Sequence, residues 1–247
     1  MDDDERTRRG IERSLRIYYG DERDTAAMDA LYARFVKPGG LVFDIGSHVG
    51  DRIAAFRRRG ARVIACEPNP SLVSTLRRLY GADDNVTIEP VAVGRMAGEV
   101  ELKINVDNPT VSTASRDFVA ASQGAPGWEG QSWDKIVKVP MTTLDSLIAR
   151  HGVPAFIKID VEGFEAEALA GLTQAVPALS FEFTTIQRDV AHACIQRCTA
   201  LGFRRYNAAL GESQQLVHGD WLGAEAIGRW LDALPAEANS GDVYATR

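Results

Sequence analysis

The sequence predicts an α/β fold, doubly wound around a mostly parallel sheet, and three observations carry that expectation. From residue 41 onward, short apolar runs alternate with helical patterns, the rhythm of βα units joined by right-handed crossovers. The runs 41–45 (LVFDI), 62–66 (RVIAC), 155–161 (AFIKIDV) and 178–184 (ALSFEFT) are apolar almost throughout, as strands covered on both faces are. A chain of 247 residues, 45% of them hydrophobic, is long enough to bury the core of one such domain.

Residues 1–20 are charge-dense without clear periodicity and read as a charged arm, either frayed or a short capping helix. A single domain is expected over 21–247. In 21–36, Met28, Leu31, Tyr32 and Phe35 form one apolar stripe, a helix closed by Lys37-Pro38-Gly39-Gly40. Strand 41–45 ends in a glycine turn, and helix 50–59 stops at Gly60. After strand 62–66, Asn69-Pro70-Ser71 opens the next helix with proline near its first turn. Residues 86–93 form a third strand, broken or bulged at Pro90. Between 98 and 140 the apolar period becomes two, so GEVELKIN and KIVKVP read as a hairpin insertion carrying a mobile loop from about 107 to 134. The rhythm then resumes with helix 142–150, strand 155–161, helix 163–172, strand 178–184 and helix 186–200. Strands 202–208 and 242–247, with a long connection, suit an antiparallel hairpin at one sheet edge.

Charge narrows the function classes. With 28 Lys and Arg against 34 Asp and Glu, the net charge of −6 argues against broad capture of nucleic acid. No run approaches the roughly 18 apolar residues of a membrane span. The acidic start, Met1-Asp2-Asp3-Asp4-Glu5, lacks the cationic and apolar regions of a secretory signal, so a cytoplasmic location is expected. Cys66 reads as a small core residue, and Cys194 and Cys198 as one buried helix face rather than metal ligands.

Ligands of doubly wound sheets bind at the carboxyl ends of the strands. The first strand ends Asp44-Ile45-Gly46-Ser47-His48-Val49-Gly50, two glycines four apart opening a helix. The GxGxxG spacing of a dinucleotide site is absent, and Asp44 would set negative charge against a pyrophosphate. Asp44 better suits a cationic group such as an ammonium, directly or through water. The second strand ends Cys66-Glu67-Pro68, where a carboxylate can accept both hydrogen bonds of a ribose diol. An amino acid at one end and a ribose at the other describe S-adenosylmethionine. Further on, Phe156-Ile157-Lys158-Ile159-Asp160-Val161-Glu162-Gly163 places Lys158, Asp160 and Glu162 on one side of a presumed central strand, with Glu182 matching them on the next. Such charges are costly in a sheet unless they pair or serve a site. A buried ion-pair network that orients the strand remains the alternative.

These segments, DIGSHVG, Glu67-Pro68, Thr142-Thr143-Leu144-Asp145 and above all IKIDVEGFE, resemble the FkbM family of S-adenosylmethionine-dependent methyltransferases from about residue 40 to 184. The resemblance implies the Rossmann-like, seven-stranded class I methyltransferase sheet with an antiparallel last strand, here with the hairpin inserted between strands three and four. It implies O-methylation of a hydroxyl on a sugar, glycolipid or natural-product acceptor. Expected cofactor contacts are Asp44, Gly46, His48, Gly50, Glu67, Pro68, Ala92, Ser112 and Asp160. Ser112, Thr113 and Ser115 resemble the family's small polar motif, which would close over the methionine part of the cofactor; an ordinary polar loop is the alternative. Family members often carry Ala-Asn where this chain has Ser47-His48.

The catalytic set expected is Asp160, Glu162 and Lys158. An alcohol needs a positioned base as its proton leaves, and Asp160 or Glu162 would serve, with Lys158 holding one carboxylate ionised. His48 is the alternative base. A carboxylate trio can also hold Mg²⁺, but nothing in the spacing compels a metal, and none is expected. Trp128, Trp133 and Phe118 suit a sugar-stacking wall, and equally loop packing or a contact between copies in a homo-oligomer. An NAD(P)-dependent oxidoreductase and a non-catalytic binding protein of the same fold remain as alternatives.

Overall fold

Continuous apolar strands need cover on both faces, and in the computed structural model the chain supplies it. Residues 2–20 and 22–247 are described. Met1 of the acidic start and Asp21 at the head of the second expected helix lie outside them. The order begins with helices α1 (Asp3–Tyr19) and α2 (Glu22–Tyr32), then strand β1 (Leu41–Ile45), α3 (Asp51–Arg58), β2 (Arg62–Cys66), α4 (Pro70–Tyr80) and β3 (Val86–Glu89). Next come β4 (Ala92–Val93), β5 (Gly98–Ile104), α5 (Arg116–Ser122), β6 (Lys135–Thr142), α6 (Leu144–His151), β7 (Phe156–Ile159) and α7 (Glu165–Ala170). The chain closes with β8 (Ala178–Thr184), α8 (Arg188–Ala200), β9 (Arg205–Leu210), α9 (Ala224–Ala233) and β10 (Ser240–Thr246).

The main sheet has seven strands in the order β3-β2-β1-β7-β8-β10-β9. β1 pairs parallel to β2 and β7, whereas β10 runs antiparallel to both β8 and β9. The strand order turns at β1 and β7, the switch point where such sheets leave a crevice. On one face Phe43, Ile157, Leu179 and Phe181 pack with Leu144, Leu169, Ala191 and Ile227 of the helices. On the other, Phe156 and Tyr244 pack with Tyr32 and Phe56, ring centroids 4.5–6.5 Å apart. Each such buried aromatic stabilises the fold by about 1.5–3 kcal/mol.

Three expectations are sharpened. Of the two readings of residues 1–20 the helix holds and the frayed arm does not, residues 3–19 forming a helix of 17 residues. Asp2 caps it, accepting from Glu5 N at 2.8 Å, and Asp3, Asp4 and Glu5 in its first turn complement the dipole. Ile11 packs on Val49 and Leu72, and Arg6 pairs with Asp107 (3.0 Å) and Asp134 (3.1 Å), which ties the helix to the insertion. Second, of a break or a bulge at Pro90 it is the break that occurs: Pro90 separates β3, in the main sheet, from β4, which joins a smaller sheet of order β4-β6-β5. There β5 and β6 pair antiparallel from Gly98 opposite Met141 to Ile104 opposite Lys135. Third, the segment 107–134, expected as a loop, carries structure of its own. It holds α5 and a small core, in which Phe118 meets Trp128 and Trp133 edge-on at 5.0 and 6.2 Å.

Candidate active site

The crevice begins where β1 ends. Gly46 sits at φ +82°, and its N–H and that of Ser47 donate to Cys66 O at 2.9 and 3.2 Å. A Cβ on Gly46 would lie 1.7 Å from Asp160 O, so this glycine lets the turn after β1 pass under the turn after β7. The next residues bring His48 N to Glu67 Oε2 at 2.9 Å, while Asn69 N reaches Glu67 Oε1 at 2.8 Å. Both oxygens of Glu67 are thereby fixed at the cleft wall by backbone donors. Burial pushes its pKa up to about 7, against the pull of those two N–H groups.

Gly46, His48, Glu67, Pro68, Ala92, Ser112, Lys158, Asp160 and Glu162 all line one cleft. Ser112 Oγ is buried there without a partner in the protein. Asp44 and Gly50 stand behind the wall instead. The Cβ direction of Gly50 is filled by Tyr80 and Leu76. Asp44 is fully buried in register with Lys158 on β7, both its oxygens lack partners, and burial raises its pKa to about 7 against the field of Lys158. Thr113 and Ser115 are occupied elsewhere: Thr113 Oγ1 donates to Glu162 O at 2.6 Å, and Ser115 caps α5. His48 is half-buried, its Nε2 3.3 Å from Thr110 Oγ1, and desolvation pushes its pKa down to about 4. A base that weak accepts a proton poorly at neutral pH.

The expected period-two display of Lys158, Asp160 and Glu162 does not occur, because β7 stops at Ile159. Glu162 instead adopts φ +55°, in a turn held by Glu165 Oε1, which accepts from Val161 N (2.9 Å) and Gly163 N (3.3 Å). The turn still gathers the charges. Lys158 Nζ donates to Asp160 Oδ2, and oxygens of Asp160, Glu162 and Glu182 lie within 4.8 Å of one another. Burial pushes Asp160 up, but the charge and hydrogen bond of Lys158, with Arg52, hold it below the usual carboxylate range. Burial and neighbouring carboxylates raise Glu162 and Glu182 well above it.

A second cavity adjoins the first and shares Tyr18, Arg52, Thr110, Asp160, Glu162 and Glu212 with it. Its far wall carries Trp128, Glu182 and Asp242. Trp128 is only 8% exposed and its Nε1 has no partner in the protein. Trp133 and Phe118 pack the insertion rather than line either cavity, Trp133 Nε1 donating to Val111 O at 2.8 Å.

Sequence reasoning missed Tyr18, Arg52, Glu212 and Asp242. Arg52 is buried and pairs with Asp51 and, at 2.6 Å, with Glu212. Its signal was a charged pair, Asp51-Arg52, directly behind the glycine turn. Tyr18 had one too, the spacing of Ile11, Leu15 and Tyr18 along α1. Glu212 and Asp242 had none.

Comparison with known proteins identifies the family. A family model described as the methyltransferase FkbM domain matches residues 44–205, more than half of the chain. The hexuronic acid methyltransferase AglP of Haloferax volcanii is 27% identical over 155 residues, 61% of this chain and 57% of that protein. Among solved structures, the precorrin-6y C5,15-methyltransferase of Geobacter metallireducens has a TM-score of 0.43 at 12% identity, covering 90% of this chain and 87% of its own. A TehB-like S-adenosylmethionine-dependent methyltransferase of Corynebacterium glutamicum has a TM-score of 0.45 at 11% identity, with the same coverages of 90% and 87%.

Proposed function

The chain belongs to the FkbM methyltransferase family, whose methyl donor is S-adenosylmethionine, and from that premise we propose O-methylation of a hydroxyl on a sugar or sugar-bearing acceptor. One observation carries the proposal: Asp160 and Glu162 line both cavities, so an acceptor in the second would meet a donor in the first beside two carboxylates. The donor fits the first cavity by chemistry. Glu67 offers two fixed carboxylate oxygens for a ribose diol, and Ser112 Oγ is an unpartnered buried hydroxyl. When bound, S-adenosylmethionine supplies an electrophilic methyl carbon on a sulfonium. The residues of this chain do the rest. Asp160, kept ionised by Lys158, accepts the acceptor hydroxyl proton as its oxygen attacks. Tyr18 and Thr110 border both cavities and align acceptor with donor. A sugar acceptor is supported by Trp128, an aromatic face with a free N–H donor in the second cavity, and by the hexuronic acid relative.

The test has two steps. Calorimetry should show that S-adenosylmethionine and its demethylated product bind and that NAD does not. Turnover with a panel of neutral and uronic sugars, read by mass spectrometry, should place the new methyl on oxygen. Asp160→Asn should lower turnover about 10²–10⁴-fold while cofactor-product binding survives; unchanged turnover would sink the assignment of the base.

A further inference from the structure

The second cavity gathers more carboxyl groups than its cations can pair. Its two neighbouring buried cations are committed: Lys158 to Asp160, and Arg52 to Asp51 and Glu212. Among the described residues, Glu162, Glu182 and Asp242 have no ion-pair partner. Glu182 Oε2 is buried without a hydrogen-bond partner. Asp242, 7% exposed, faces Glu182 in the β8–β10 register, lines the same cavity and leaves Oδ1 unpartnered. A carboxylate buried without a partner is expensive, and two in adjacent register are more so.

We propose that Asp160, Glu162 and Glu182 bind one hard divalent cation at the floor of the second cavity, with Asp242 behind them as an outer acceptor for its waters. The donor set is oxygen only, which selects Mg²⁺, Mn²⁺ or Ca²⁺ over zinc or copper. Separation fits as well. One oxygen of each carboxylate lies within 4.8 Å of the others, close enough for one cation to reach all three at roughly 2.1–2.4 Å. Lys158 occupies Asp160 Oδ2, so the cation uses one lone pair of Oδ1 and leaves the other to the acceptor hydroxyl. The site rests on the carboxylates and does not require that methyl transfer be the reaction.

The experiment strips the full chain with chelator, titrates Mn²⁺ by electron paramagnetic resonance, and measures binding of the demethylated cofactor product on the same samples. One Mn²⁺ per chain is expected, displaced by Mg²⁺ or Ca²⁺. Glu182→Gln should weaken Mn²⁺ at least tenfold and Asp242→Asn less, with cofactor-product binding retained in both. Bound Mn²⁺ should also raise the thermal midpoint of the wild-type chain, a readout that needs no variant to fold. Binding only at millimolar Mn²⁺, no rise in midpoint, or a folded Glu182→Gln chain that binds like wild type would overturn the site. Loss of cofactor-product binding alone would instead count against the methyltransferase reading.

Discussion

Replacing Glu67 by Gln tests the cofactor wall through a pH dependence that few other defects would reproduce. Glu67 accepts one backbone N–H on each oxygen, from His48 at 2.9 Å and Asn69 at 2.8 Å. Glutamine keeps one acceptor and turns an NH₂ toward the other donor, leaving a buried N–H unmatched at a cost of about 1–3 kcal/mol. Against that stands the cost of ionising the native carboxyl. Its pKa rises from 4.5 to about 7, chiefly by burial. A group whose folded pKa is raised contributes its full stability below the unfolded value and loses it as pH climbs through the folded one. Between pH 4.5 and 7 the native chain therefore gives up about 3 kcal/mol at this residue. Glutamine, which does not titrate, escapes that loss. Urea unfolding at pH 5 should show Glu67→Gln less stable than wild type by about 1–3 kcal/mol. By pH 8 the gap should have closed or reversed. Calorimetry at pH 8 should show cofactor-product affinity down by about tenfold or more, one charged acceptor for the ribose being lost. A stability difference that stays constant from pH 5 to 8 would refute the reasoning, because Glu67 would then not titrate in that interval.

Three further outcomes follow from the same geometry. Gly46→Ala should destabilise the chain by more than the roughly 1–2 kcal/mol of a left-handed alanine, since its Cβ would meet Asp160 O at 1.7 Å; a urea midpoint near wild type would contradict it. Lys158→Met removes the charge that holds the Asp160 pKa down, so the acid limb of the pH–rate profile should move to higher pH, and an unmoved limb would deny Asp160 its role. Trp128→Ala should raise the KM for a sugar acceptor about tenfold or more while leaving cofactor-product affinity alone; equal losses in both would place Trp128 in general packing.

What the sequence made legible was local, and what it hid was tertiary. The strands β1, β2 and β8, the turn at Gly46 and the carboxylate of Glu67 could be read because each is specified within a few residues. Lys158, Asp160 and Glu162 were found for a partly wrong reason. Period-two alternation carried the strand to residue 161, whereas Glu162 and Gly163 both take positive φ and reach the cleft through a turn. Pro90 marked a real break, but a bulge and a change of sheet look alike until β6 is present for β4 to pair with. In α1, the spacing of Ile11, Leu15 and Tyr18 was masked by the charges around it, and its docking depends on Val49 and Leu72 far along the chain. Asp242 is invisible locally, because only its register with Glu182 makes it part of a site.

The rows of the sheet separate the carboxylates that the fold neutralises from those it leaves for a ligand. Parallel and antiparallel register place Asp44, Lys158, Ser180 and Tyr244 side by side across β1, β7, β8 and β10. Lys158 is the cation of that row, and its field acts on Asp44 beside it as well as on Asp160 above. Toward the carboxyl ends of β7 and β8, Glu182 and Asp242 form the next level with no cation among the described residues. Glu162 joins them from the turn after β7. A structural network would be expected to close on itself, with each acid matched, since an unmatched buried charge costs several kcal/mol. Here the lower row contains a cation, Lys158, beside an Asp44 without hydrogen-bond partners, whereas the upper row contains none among the described residues and faces the cavity that holds Trp128. The lower row thus orients the site, while the upper row retains the binding capacity that an acceptor and a divalent cation would use.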